Sequence, residues 1–307
     1  MKKVFIDGSA GTTGLQIYER LSKREDICLI TLSEENRKDP CARKDAIFAA
    51  DIAFLCLPDD AAKEAVILAD GADTCIIDTS TAHRTSPGWT YGFPEIGDLR
   101  EKIRNAKRIA NPGCHASGFI SLAAPLVEAG IVEKDVQFTC FSLTGYTGGG
   151  KKMIAEYETA KTKPLEAPRL YGLTQFHKHL PEMTKISGLE KDPVFCPVVA
   201  DFPRGMEAVV PLTSDMTKAS IEEICEVYRS YYQSGLVHFA PSPDENGYLS
   251  ANAFSGRDDM QISVFGNNDR ILLVSRFDNL GKGASGAALQ NMNIVLGAAE
   301  DTGLIVS

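Results

Sequence analysis

Residues 2–14 read KKVFIDGSAGTTG: an apolar run that ends at Asp7 and gives way to glycines at 8, 11 and 14. Val4, Phe5 and Ile6 predict a short buried strand, and the stretch from Gly14 to Arg24 is helix-like. Glycines between a strand and a helix permit a tight turn and let backbone N–H groups approach a pyrophosphate, for which a helix N-terminus adds a favourable field. Gly8, Ser9, Gly11, Thr12, Thr13 and Gly14 are therefore candidate dinucleotide ligands, although the spacing is GxxGxxG and not the commoner GxGxxG.

Outward from that turn, the first hundred residues alternate short apolar runs with helix-like segments, the pattern of a parallel sheet covered by helices. Strands are expected at 3–7, 27–32, 52–57, 74–78 and 108–110, and helices at 14–24, 61–69 and 115–129. After residue 132 the strands lengthen, with runs at 136–144, 194–200, 206–212, 261–265 and 271–277 and a helix at 221–232. The last stretch, 284–299, has small and apolar residues at helical spacing and is expected to pack back on the first domain. The predicted class is α/β: a Rossmann-like domain (1–113 plus 284–307) carrying an inserted α+β domain (114–283) with a mainly antiparallel sheet.

The 307 residues carry a formal net charge of −9, which argues against a general nucleic-acid binder. Two lysines open the chain, but Asp7 and Gly8 break the apolar run that a signal peptide needs, and no run approaches the roughly 20 apolar residues that span a bilayer. The expectation is a cytoplasmic protein without a membrane partner. Eight scattered cysteines with no CxxC pair and no clustered His predict neither a disulfide framework nor a metal site.

At the end of the second strand, where an acidic residue would bind a ribose 2′-hydroxyl, the sequence reads TLSEENRK (31–38). Ser33 with Arg37 and Lys38 suits a 2′-phosphate, so NADP is favoured over NAD despite Glu34 and Glu35. Among the cysteines Cys114 differs, because NPGCHASG (111–118) sets it after a Pro-Gly turn and directly before a helix, where a thiol gains thiolate character. FHKHLPEM (176–183) offers His177 or His179 as its proton-handling partner, with Glu182 three residues beyond the second, although Pro181 unsettles the helical geometry. His115 is expected to point elsewhere along the helix. Arg84, at the carboxyl end of the sheet in DTSTAHRT, is a candidate anion clamp, and Lys151, in LTGYTGGGKKM, adds charge to a glycine-rich loop.

With these residues assembled, the chain strongly resembles the N-acetyl-γ-glutamyl-phosphate reductases of arginine biosynthesis, in their shorter form, which are relatives of the aspartate-semialdehyde dehydrogenases. DGSAGTTG (7–14), LPDDAA (57–62), DTSTAHRT (78–85), YGFPE (91–95), NPGCHASG, TGYTGGGKK (144–152), HKHLPEM (177–183) and NLGKGASGAALQNMN (279–293) carry the resemblance. It implies that Cys114 is the nucleophile and that His177 or His179 is the acid and base. Arg84, Glu182 and Lys151 are the candidate substrate ligands. Leu57, Pro58, Asn279, Lys282 and Gly283 would join the cofactor site. The expected reaction reduces an acyl phosphate with NADPH through a Cys114 thioester, in a homodimer or tetramer whose inserted domain is both catalytic and oligomerising. The competing readings are a reductase of aminoadipyl or aspartyl phosphate and a non-catalytic NADP-sensing protein.

Overall fold

In the computed structural model the opening run forms β1 (Lys2–Asp7) and the glycines lead into α1 (Thr12–Leu21). There follow β2 (Ile27–Ile30), α2 (Pro40–Ala49), β3 (Ile52–Leu55), α3 (Asp59–Leu68), β4 (Cys75–Asp78), β5 (Thr90–Tyr91), α4 (Leu99–Arg104) and β6 (Arg108–Ala110). Residues 1–233 and 235–306 are described, and they divide into two units. Met1–Pro112 with Ala284–Leu304 make the first, and Gly113–Gly283 with the stretch from Ile305 make the second.

In the first unit every strand pairing is parallel, in the order β2-β1-β3-β4-β6-β5. β3 and β4 are buried at all their positions, as strands covered on both faces must be. The period of two decides which layer each side chain meets. Val4 and Ile6 share a cluster with Leu289 and Met292 of the C-terminal helix Gly286–Leu296, whereas Phe5 packs with Ile47, Ala62 and Ala65. The last helix thus returns to the first sheet. α2 and α4 come in addition to the predicted helices; α2 has Pro at its start and an Asp39 side chain accepting from the Ala42 N–H at 3.0 Å, a start signal present in the sequence.

The second unit runs α5 (Cys114–Glu128), β7 (Thr139–Gly145), α6 (Gly150–Glu158), β8 (Arg169–Leu170), α7 (Leu180–Ser187), β9 (Val194–Ala200), β10 (Met206–Thr213), α8 (Ile221–Tyr231), β11 (Val237–Phe239), β12 (Met260–Asn267) and β13 (Arg270–Phe277). Its sheet is mixed, ordered β11-β12-β13-β10-β7-β9-β8. Four of its six pairings are antiparallel, and β11–β12 and β7–β9 are parallel. α5 is buried without a break from His115 to Val127, so it is a core helix and not an amphipathic surface one. Gly118 allows that burial: a Cβ there would lie 2.9 Å from the Ala208 Cβ of β10. Tyr228 of α8 closes the other side, donating its hydroxyl to the Leu122 carbonyl at 2.6 Å.

Candidate active site

α5 begins at Cys114 because Pro112 and Gly113 keep the preceding backbone extended, Gly113 taking φ −78° and ψ 144° as the N-cap. The first-turn N–H groups have no intrahelical partners, and the positive end of the helix favours an anion at this point. The Gly113 N–H donates to Glu182 Oε2 at 3.1 Å, and Glu182 Oε1 lies 4.0 Å from His179 Nε2. Both side chains are buried. Pro181 does not disturb this arrangement, because α7 starts at Leu180 and the proline occupies its first turn, where it needs no N–H. His179 is consequently the N-cap residue, and Glu182 sits one turn into the helix.

Three imidazoles gather beside the start of α5. The His115 ring lies 5.8 Å from both His177 and His179, and those two are 4.8 Å apart at 86°. The His179 N–H donates to His177 Nδ1 at 3.2 Å, which leaves the neutral His177 carrying its proton on Nε2. His115, expected to point elsewhere along the helix and to be supporting or structural, has its ring against both His177 and His179. Its Nδ1 is 2.7 Å from Ser142 Oγ and its Nε2 is 2.6 Å from the Tyr171 hydroxyl. Burial, reinforced by His177, pushes the His115 pKa down to about 3, so the ring stays neutral. The Tyr171 hydroxyl is pushed up, by burial and then by the nearby charge of Cys114. Gly283 gives Cys114 its room, since a Cβ there would lie 3.0 Å from the Cys114 Cβ.

In the first unit the glycine turn is a cradle that side chains would fill. Gly8 has φ +89°, and a Cβ on it would lie 2.3 Å from the Cys56 carbonyl oxygen; one on Gly14 would lie 2.4 Å from the Gly8 carbonyl oxygen. Beside the turn opens a cavity of about 390 Å³ whose lining includes Gly8, Ser9, Leu32, Arg37, Lys38 and Leu57. This is the shape a dinucleotide's adenosine half and pyrophosphate require. Among the described residues no group of His, Cys, Asp and Glu is arranged to hold a metal ion, and no helix is long and apolar enough to cross a membrane.

Two family profiles match the chain. The profile of the semialdehyde dehydrogenase NAD binding domain matches residues 3–106, and that of the semialdehyde dehydrogenase dimerisation domain matches residues 114–279. N-acetyl-gamma-glutamyl-phosphate reductase 2 of Nostoc sp. is 46% identical over 98% of this chain and 99% of its own length. That of Pseudomonas putida is 42% identical over 98% of both chains. The chain belongs to the N-acetyl-gamma-glutamyl-phosphate reductase family. Solved structures share its fold at lower identity. The aspartate semialdehyde dehydrogenase of Francisella tularensis has a TM-score of 0.72 at 18% identity, covering 96% of this chain and all of its own. The Candida albicans enzyme, solved with NADP, has 0.70 at 17%, covering 97% and 99%.

Within this reductase family frame, the predicted residues separate into groups. Cys114, His177, His179 and Glu182 come together in the second unit, but Glu182, expected to bind substrate, has its carboxylate engaged by the Gly113 N–H and His179. Lys151 is exposed in the first turn of α6 and not in a loop. Asn279 uses its amide to join two loops: its oxygen accepts from the Gly205 N–H at 2.9 Å and its nitrogen donates to Thr147 Oγ1 at 3.1 Å. Lys282 is buried in the turn Gly281–Ser285, next to Gly283.

In the first unit Leu57 lines the cavity, Pro58 is the N-cap of α3, and Thr12 and Thr13 open α1. Arg37 meets Glu34 at 2.7 Å, so part of its charge is countered, and Ser33 is exposed with its carbonyl accepting from the Asn36 and Arg37 N–H groups. Arg84 is buried, with Nε donating to the Asn111 carbonyl at 2.9 Å, which ties down the end of β6. Sequence reasoning missed Tyr171 and Ser142. Neither stands in a glycine turn or a His-rich segment, and only the pairing of β8, β9 and β7 brings them to His115.

Proposed function

We propose that this chain is an NADPH-dependent N-acetyl-glutamyl-phosphate reductase of arginine biosynthesis, forming N-acetyl-glutamate 5-semialdehyde through a Cys114 thioester. The observation that carries the reading is Cys114 at the first residue of a buried helix, with Glu182 bound to the preceding N–H and His179 beside it. The Cys114 sulfur attacks the acyl carbon; a C–S bond forms, the C–O bond to phosphate breaks, and phosphate leaves with the electron pair. Phosphate is a good leaving group, so a thiolate suffices. The first-turn N–H groups of α5 suit the oxyanion that develops on the carbonyl.

A nicotinamide dinucleotide held at the Gly8–Gly14 turn would supply the hydride that reduces the thioester. His179 Nε2 protonates the carbonyl oxygen of the reduced thioester and takes the proton back as the C–S bond breaks, the sulfur keeping the bonding pair. Glu182 supports the imidazolium that stands before the first transfer and is restored by the second. His177, carrying its proton on Nε2, is a donor for the anionic substrate. Lys38, with Arg37, favours the 2′-phosphate of NADP at the cavity beside the glycine turn.

The open face of the second sheet supports a homodimer. Phe141, Val209, Leu272 and Phe265 stand on one face by strand register, and Phe141 and Leu272 are exposed. An apolar sheet face of this kind is a self-complementary surface for a second copy.

The test of function is the reverse reaction, with N-acetyl-glutamate 5-semialdehyde, phosphate and NADP+, run beside the aminoadipate and aspartate semialdehydes. The first substrate is expected to turn over fastest, and Cys114→Ser to fall below about a hundredth of the wild-type rate. A faster rate on another aldehyde overturns the substrate; a Ser variant above that level overturns the covalent route.

A further inference from the structure

β8 ends early, and the sheet edge beyond it is completed by a side chain. In the β8–β9 ladder Arg169 faces Val199 and Leu170 faces Val198, and the Tyr171 N–H donates to the Pro197 carbonyl at 3.0 Å. Continued in that register, the strand would bring Leu173 opposite Phe195. The chain instead turns away at Gly172, whose φ is +64°, and the Gln175 amide takes the place of the missing strand residue. Its Nε2 donates to the Phe195 carbonyl at 2.7 Å, and its Oε1 accepts from the Phe195 N–H at 2.9 Å. One amide thus satisfies two backbone groups that an edge position would leave unpaired.

Gln175 makes these bonds from a left-handed backbone, φ +58°, which glycine and asparagine adopt readily and glutamine rarely does. Such a conformation persists where the surrounding contacts over-determine it. Here they are the two bonds to Phe195 and the Gln175 N–H donating to the Gly172 carbonyl at 3.0 Å. Among the described residues, the two Phe195 bonds are the only hydrogen bonds that tie residues 173–176 to another element. Two positions on, the His177 ring packs edge-on against the Phe195 ring at 5.0 Å, while the intervening Phe176 is 91% exposed. Gln175 therefore grips the backbone of the residue whose ring meets His177.

We propose that Gln175 is a positioning residue for His177. Its clamp on Phe195 fixes the turn that sets the His177 ring against Phe195, 5.8 Å from His115 and 4.8 Å from His179. This deepens the proposed function and rests on His177 being a donor to the anionic substrate. A donor on an unclamped surface turn would spend only part of its time in the binding orientation, and affinity would fall by that fraction.

The experiment compares wild type with Gln175→Met, which keeps the length of the side chain and removes both bonds, and with Gln175→Gly, which also removes the backbone strain. His177→Asn and Gln175→Met/His177→Asn complete the set. One readout is carbethoxylation of His177 by diethyl pyrocarbonate, followed by peptide mass spectrometry; the other is KM and kcat with N-acetyl-glutamate 5-semialdehyde, phosphate and NADP+. Both Gln175 variants are expected to speed carbethoxylation of His177 several-fold. They should raise the KM of the anion that His177 holds, aldehyde carboxylate or phosphate, by roughly tenfold, the effect of losing one hydrogen bond to a charged group. The KM of NADP+ and the far-UV circular dichroism should stay at wild type, and the double variant should be no worse than His177→Asn. Unchanged carbethoxylation of His177 in folded Gln175→Met, or wild-type KM values in Gln175→Gly, overturns the proposal and leaves the reductase function intact. A double variant that falls below His177→Asn overturns it as well. Wild-type KM values in His177→Asn overturn instead the assignment of His177 as a substrate donor.

Discussion

Glu182 bridges the start of α5 and His179: one carboxylate oxygen accepts the Gly113 N–H at 3.1 Å, and the other lies 4.0 Å from His179 Nε2. Gly113 precedes Cys114, the proposed nucleophile, so a single buried carboxylate links the start of α5 to His179, the proposed acid and base. The carboxylate expected to meet the substrate is engaged by these two groups.

Replacing Glu182 by Gln keeps the shape and removes the charge. The variant is expected to lose about tenfold or more in kcat, within the range attributable to one acid–base group. A nearby carboxylate favours imidazolium, so the limb of the pH–rate profile belonging to His179 should move to lower pH. Steady-state rates from pH 5 to 9 check both, and an unmoved limb would separate Glu182 from the histidine.

The buried imidazole of His115 makes stability depend on pH. Its folded pKa, near 3, lies below the unfolded value of about 6.5, so the unfolded chain binds the extra proton between these limits. Stability is therefore full above about pH 6.5 and falls, as pH drops toward 3, by about 1.4 kcal/mol per unit from this group. Urea denaturation at pH 7 and pH 5 should show a larger difference for wild type than for His115→Phe, which cannot take up that proton.

Gly8→Ala places a Cβ 2.3 Å from the Cys56 carbonyl oxygen at φ +89°, directly in the turn that would hold the pyrophosphate. Gly71→Ala is the matched control, with φ +79° and no atom within 4 Å. Both carry backbone strain of order 1 kcal/mol. Only Gly8→Ala should also weaken NADPH binding, by roughly tenfold or more, in a fluorescence titration. Equal affinities in the two variants would remove the turn from the cofactor site.

Arg37→Ala tests the cofactor preference. Loss of a hydrogen bond to a charged phosphate is expected to raise the Kd of NADPH by roughly tenfold and leave NADH unchanged. Glu34→Gln, which frees Arg37 from its 2.7 Å partner, should act in the opposite direction.

Leu272→Asp puts a charge on the open face of the second sheet, where the wild-type residue is 44% exposed. Light scattering behind size exclusion is expected to read a dimer for wild type and a monomer for the variant, because burying an unpaired carboxylate is prohibitive at such an interface.

What the sequence determined by itself was local. A βα turn needs its glycines within a few residues of one another, so the cradle was legible from Gly8, Gly11 and Gly14, and the helix start at Cys114 from Pro112 and Gly113. The HxH segment was visible for the same reason, as were the parallel and longer-stranded halves of the chain, from the lengths and spacing of their apolar runs. Pro181 was misleading at this range, because a proline two residues past a histidine reads as an end of a helix as readily as a beginning. The contacts among His115, Ser142 and Tyr171 were decided only by the tertiary structure. His115 and Tyr171 are 56 positions apart, and nothing in either segment marks the other. β7, β9 and β8 must pair in register before the two hydroxyls meet the ring, and α5 must be buried before that ring loses its charge.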